Sequence, residues 1–114
     1  MVMKTEETWT ATIYVGFHHA GGCWGMDDVN RLCQVFVNSN PGCVTITPTT
    51  FIYFGGQEPG AAIGLINYPR FPKACAWLKT NALALAAVLL GSLKQNRVIV
   101  VMPDETVVLT NETE

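Results

Sequence analysis

Between Gly16 and Asp28 the chain reads GFHHAGGCWGMDD. This window holds both histidines of the chain, one of its four cysteines, four glycines, a tryptophan and an Asp pair. Imidazole titrates near neutrality, so His18 and His19 suit ligand contacts or, in an alternative hydrolase reading, acid and base roles. Neighbouring residues in extended backbone point opposite ways, so one of the two faces any given site unless the loop bends. No HxH or HxxxH spacing is present, and no metal is expected. Gly21 and Gly22, with Gly25 close behind, let backbone amides approach an anion. Their spacing matches neither a Walker A loop nor GxGxxG. Cys23 near a helix start has the setting of an activated thiol, but no protease motif surrounds it, and a buried, inert cysteine is the plainer reading. Asp27 and Asp28 are most economically helix caps.

A second group follows at Tyr68-Pro69-Arg70-Phe71. A guanidinium flanked by two rings can pair with phosphate or stack on a base. The plainer reading has Tyr68 and Phe71 covering the core, with Arg70 paired to Glu58 or to a carbonyl. Trp24, on a loop, is a further stacking candidate.

The 114 residues are 49% apolar and 14% charged, with a net charge of −2. That length suits one domain over residues 1–114, with tails at 1–7 and 111–114. Without a basic block, duplex nucleic acid is not an expected partner. The longest apolar run, Ala82 to Leu90, is too short for a bilayer, so no membrane is expected. Cys23, Cys33, Cys43 and Cys75 form no CxxC pair, and no signal peptide precedes them. Reduced thiols in the cytoplasm follow, the host cytoplasm if the chain is phage-encoded. So little charge suggests surface hidden in a homo-oligomer.

The elements that must position these groups are readable from periodicity. Thr8 to Phe17 alternates apolar and polar residues as a half-buried strand does. Helical spacing predicts a helix from Met26 to about Asn38. Cys43 to Phe54 reads as a strand, with Pro48 marking an edge or a bulge. Gly55 to Gly60 reads as a loop, and Ala61 to Asn67 as a central strand. Lys73 to Lys94 reads as a long helix, apolar nearly all round and hence buried on most sides. Strands at Arg97–Met102 and Thr106–Thr110 close the chain around the Pro103 turn.

This order resembles the ferredoxin-like split β-α-β pattern, βαββαβ, an α+β class with two helices on one face of an antiparallel sheet, plus a short C-terminal strand. The other face would carry Thr10, Thr12, Tyr14, Thr45 and Thr47, open to solvent, a ligand or a subunit. With the first and third strands taken as parallel neighbours, their exits share one end of the sheet. The His18 loop and the Arg70 loop then lie side by side, and two helix N-termini open toward one anion. The strings EPGAAIGLINYPRFP and VIVVMPDETV resemble a phage-type family of unassigned role. In size and plan the chain resembles phage anti-defence proteins that sequester nucleotide immune signals.

The expected function is therefore a non-enzymatic homo-oligomeric binder of a small anionic ligand, best guessed as a nucleotide-type signalling molecule. It needs no cofactor. Its ligand contacts would be His18, His19, Gly21, Gly22, Trp24, Tyr68, Arg70 and Phe71. The rival readings are a small phosphodiesterase or hydrolase using His18 and His19, and a structural or assembly protein.

Overall fold

The computed structural model describes residues 1–19 and 22–111, with the backbone alone for residues 19, 22 and 23. Strand β1 spans Thr10–Gly16, β2 His18–His19, β3 Gly22–Cys23, β4 Val44–Tyr53, β5 Gly56–Ile66, β6 Arg97–Val101 and β7 Thr106–Thr110; helix α1 spans Met26–Ser39 and α2 Cys75–Ser92. The main sheet has the order β4-β5-β1-β6-β7, and β2 pairs with β3 in a separate small ribbon. The fold is ferredoxin-like βαββαβ with one added C-terminal strand.

Alternation along β1 sends Ala11, Ile13 and Val15 to the core. Across the ladders Ile13 faces Ile63 on β5 and Val100 on β6, both fully buried. The helices close over this face, α1 through Val29 and Cys33, and α2 through Leu78, Ala82, Leu85, Ala86 and Leu89. By length and composition α2 could cross a membrane, but these five side chains are the cover of the sheet. Its outward positions include Ala76, Ala84 and Ala87, which keep it apolar without adding bulk. Lys79 ties α2 to the β6–β7 turn through Asp104 at 3.5 Å and Glu105 at 2.8 Å.

Every pairing in the main sheet is antiparallel, including β1 with β5, where Thr10 faces Ile66 and Gly16 faces Gly60. The expectation of parallel central strands is thereby corrected. In a split β-α-β unit the helix connects β1 to β4, which run the same way. The strand filling the gap arrives from β4 by a hairpin and must run opposite.

The predicted loop Gly55–Gly60 is also strand. The chain reverses at Phe54-Gly55, where Gly55 adopts φ +89°, and Gly56 to Gly60 then pairs with Tyr53 to Thr49. A Gly- and Pro-rich string reads as loop locally, but the long β4 ladder holds it extended. The result is a two-stranded arm, β4 and β5 beyond Gly60, that continues past the end of β1. As expected, Pro48 sits on an edge strand, where its missing N–H costs no ladder bond. Helix α1 starts one residue before the Asp pair: Gly25 is its N-cap, and Gly25 N–H donates to Asp28 Oδ2 at 2.9 Å. The tail expected at 111–114 lies, from Glu112 on, outside the described residues.

Candidate functional site

The antiparallel β1–β5 pair puts the two expected half-sites at opposite ends of the sheet. Strand β1 leaves beside Gly60, whereas β5 leaves beside Thr10. Helix α1 therefore begins at the Gly16 end and α2 at the Ile66 end, so their N-termini do not converge on one anion. That part of the sequence reading is overturned.

At the Gly16 end, His18 and His19 pair with Cys23 and Gly22 in a short ribbon. His18 is exposed. Gly21 lies outside the described residues, and nothing is described of the His19 side chain. Trp24 lies, as expected, in the connection between β3 and α1, but its side chain is partly buried against the core, and its indole Nε1 is buried with no hydrogen-bond partner among the described residues. Trp24 directly follows β3, which pairs antiparallel with β2.

At the Ile66 end, Phe71 N–H donates to the Tyr68 carbonyl at 2.8 Å, closing a turn. The two rings lie 6.1 Å apart and the Arg70 guanidinium stands 5.6 Å from the Phe71 ring centre. All three side chains are exposed. Glu58, considered above as an Arg70 partner, is at the other end. Asn67 anchors this loop: its Nδ2 donates to the Glu7 carbonyl at 2.8 Å and its Oδ1 accepts from Lys73 N–H at 2.8 Å.

A different group does converge. On the face of the sheet away from the helices, Tyr14, Gly16, Phe51, Tyr53, Glu58, Arg97 and Ile99 line an open pocket of about 240 Å³. Register explains each position. Phe51 is opposite Glu58 on the arm, and Tyr14 is opposite Ile99 on β6. Tyr14 and Phe51 meet edge to face, with centroids 6.1 Å apart and an interplanar angle of 74°.

Two glycines make the floor. A Cβ on Gly16 would come within 2.7 Å of Glu58 Oε2, so the missing side chain is what lets the carboxylate lie there. A Cβ on Gly60 would collide with the Phe51 ring and with the Val15 carbonyl.

The pocket thus offers three rings, one half-buried carboxylate and one guanidinium. It suits a flat ring joined to a charged chain better than a bare phosphate. Among the described residues, no group of three or more His, Cys, Asp or Glu side chains is placed to hold a metal. Cys33, Cys43 and Cys75 are free thiols, and burial pushes Cys33 up to about 11, away from nucleophilic use.

Sequence reasoning missed Glu58, Phe51, Tyr53, Arg97 and Ile99 as site residues. They come from β4, β5 and β6, far apart in the chain, and only the in-strand glycines hinted at their meeting.

No family model matches the chain, and no curated protein matches it. Solved structures do. A phage SAM lyase in complex with S-methyl-5′-thioadenosine is 17% identical, with a TM-score of 0.73 over 98% of both chains. A phage SAM lyase in the apo state gives 17% and 0.74, covering 100% of this chain and 99% of that one. CutA from Synechococcus elongatus, complexed with Bis-Tris, gives 18% and 0.52, covering 95% of this chain and 83% of that one. At these identities the shared property is the fold, and it extends from end to end of the phage protein.

Proposed function

We propose that the chain is a small homo-oligomeric protein that binds an adenosyl sulfonium or thioether compound in the sheet-face pocket, and that it acts as an S-adenosylmethionine lyase. The observation that carries the reading is the Glu58 carboxylate, set over Gly16 among Tyr14, Phe51 and Tyr53. A carboxylate beside aromatic faces is a receptor for a cation attached to a flat ring system. The whole-length likeness to phage SAM lyase supports S-adenosylmethionine among such ligands.

In this reading the rings hold the adenine, and Glu58 pairs with the sulfonium or ammonium charge. Arg97, at the rim, meets the carboxylate of the amino-acid chain. Lysis breaks the bond between sulfur and the four-carbon chain. Both electrons stay on sulfur, which leaves as a neutral thioether, while a carboxylate oxygen of the same chain bonds to the carbon that sulfur leaves and closes a lactone. A phage-type role against host defence and a host-cytoplasmic location belong to the same proposal.

The rival is binding without turnover, the sequestration of a nucleotide-type signal, since stacked rings also accept a purine. One experiment separates them. The purified protein is incubated with S-adenosylmethionine and, in parallel, with cyclic and linear nucleotides; thermal shift is recorded and the products are chromatographed. Release of S-methyl-5′-thioadenosine is expected. A shift with intact nucleotide and no product from S-adenosylmethionine establishes the rival, and no shift with any of them defeats both.

A further inference from the structure

We infer that the Ile66 end of the molecule is a docking site for a short acidic segment of a partner protein. Arg70 and Lys73 take its carboxylates, and a cleft beside Trp77 takes one aliphatic side chain. This goes beyond the proposed function, and neither the sheet-face pocket nor the oligomer enters it.

The first support is the kind of residue that the loop before α2 displays. Tyr68 is 36% exposed and Phe71 42%, with the Arg70 side chain exposed between them. Surface-exposed rings beside an arginine have the composition of an interface hot spot. Pro69 and Pro72 fix φ on either side of Arg70 and Phe71, and Asn67 ties the loop to Glu7 and Lys73. A surface held in this way has less entropy to lose when something binds it.

Charge supplies the second support. The Arg70 guanidinium stands 5.6 Å from the Phe71 ring centre and the Lys73 ammonium 4.9 Å from that of Trp77. The rings aim both cations without neutralising them. Among the described residues neither cation is in an ion pair, and nor are Glu6 and Glu7, which border Pro69. The first turn of α2 holds no acid, and its N-cap, Ala74, offers no side-chain acceptor. Lys79 shows the contrast, since Asp104 and Glu105 both hold its ammonium. In a chain of net charge −2, cations gathered at one end without a counter-charge suit acid from outside.

The third support lies between the end of α1 and the start of α2. Phe36, Leu65, Phe71 and Trp77 line a narrow cleft there. Gly42 leaves room for the Trp77 wall, because a Cβ on it would come within 3.0 Å of the ring. The open space is about 10 Å³, room for one methyl-sized group. It admits the tip of an aliphatic side chain and excludes a ring.

An acidic peptide is the occupant that uses all three features. A carboxylate meets a guanidinium through two parallel hydrogen bonds, and an aliphatic neighbour reaches the cleft. A small anion would leave rings and cleft uncovered. Single-stranded nucleic acid stacks its bases on free ring faces, whereas here a cation already covers one face of Phe71 and one of Trp77.

Fluorescence polarisation tests the inference with three labelled probes of similar length: a peptide of glutamate and leucine, a peptide of lysine and leucine, and a single-stranded oligothymidine. The glutamate peptide should bind, more weakly as salt rises, and the other two should not. Alanine in place of its leucines should lower the affinity. Arg70→Glu combined with Lys73→Glu should weaken the glutamate peptide by roughly tenfold or more, with an unchanged melting temperature. Arg70→Glu alone, at an exposed position, should show a smaller loss. Lys94→Glu makes the same charge change just past the other end of α2 and should bind as wild type does. No binding of the glutamate peptide overturns the inference, as does equal binding by the doubly reversed variant or preference for either other probe. The titration needs no S-adenosylmethionine, so its failure leaves the proposed function standing, and failure of turnover leaves the docking site standing.

Discussion

The two ends of the sheet are built from similar residue types and differ in what those residues can do. At the Ile66 end, Tyr68, Arg70 and Phe71 are consecutive or nearly so, and they cluster because one turn holds them. Their rings and guanidinium satisfy each other and face water. At the Gly16 end, Tyr14, Phe51, Glu58 and Arg97 are distant in the chain, and they cluster because three ladders fix them in register. The difference is one of preorganisation. A turn places side chains on one exposed loop, whereas a sheet places them on rigid backbone with a cleared floor, and sites on regular elements are held more precisely.

The comparison can be broken most forcefully at its floor. Gly60→Ala puts a methyl into the Phe51 ring and the Val15 carbonyl, and overpacking of that kind costs about 1–3 kcal/mol. A thermal melt should show the loss, and ligand affinity should vanish with the displaced ring. A variant as stable as wild type would mean that the floor is not packed as described.

Glu58→Gln keeps shape and removes charge. Losing a hydrogen bond to a charged group costs about 1.5–3 kcal/mol, so calorimetry with S-adenosylmethionine should show affinity lowered roughly tenfold to hundredfold, with an unchanged melting temperature. Unaltered affinity would remove the Gly16 end from consideration.

Alkaline pH sharpens the contrast between a local site and the shared core. Cys33 is buried in the core beneath the sheet, with its thiol raised from 9.0 to about 11 by burial. Between these values the unfolded chain loses the proton and the folded chain keeps it. Stability is therefore full below about pH 9 and falls as pH rises, by about 1.4 kcal/mol per unit. Denaturant titrations at several pH values should trace that slope, and Cys33→Ser should flatten it.

Arg70→Ala carries the smallest effect. Affinity and stability should stay within about twofold and about 0.5 kcal/mol, as for an exposed residue away from any buried network. A loss comparable to that of Glu58→Gln would return the site to the Ile66 end.

Much of the architecture was legible beforehand. The period-two run Trp9 to Phe17, the helical spacing of Val29, Leu32, Cys33 and Phe36, and the apolar Ala61 to Ile66 each state their element locally. Element order then suggests the split β-α-β plan. Pro48 was legible as an edge marker, because proline restricts backbone by its own chemistry. The candidate site was legible only as the wrong pairing of loops. The window from Gly16 to Asp28 drew attention by its composition, yet its tryptophan turns inward.

What the sequence determined by itself is therefore the two helices and the cores of the main strands, the core-facing alternation and the low charge, all properties of neighbouring residues. Only the tertiary structure decided that β1 and β5 run opposite, that Gly55 turns a presumed loop into an arm, and that Glu58 lies over Gly16. The physical reason is that strand direction and register are set by the hairpin and the crossover acting together. Reversing one central strand moves an entire loop from one end of the molecule to the other without changing any residue's local preference.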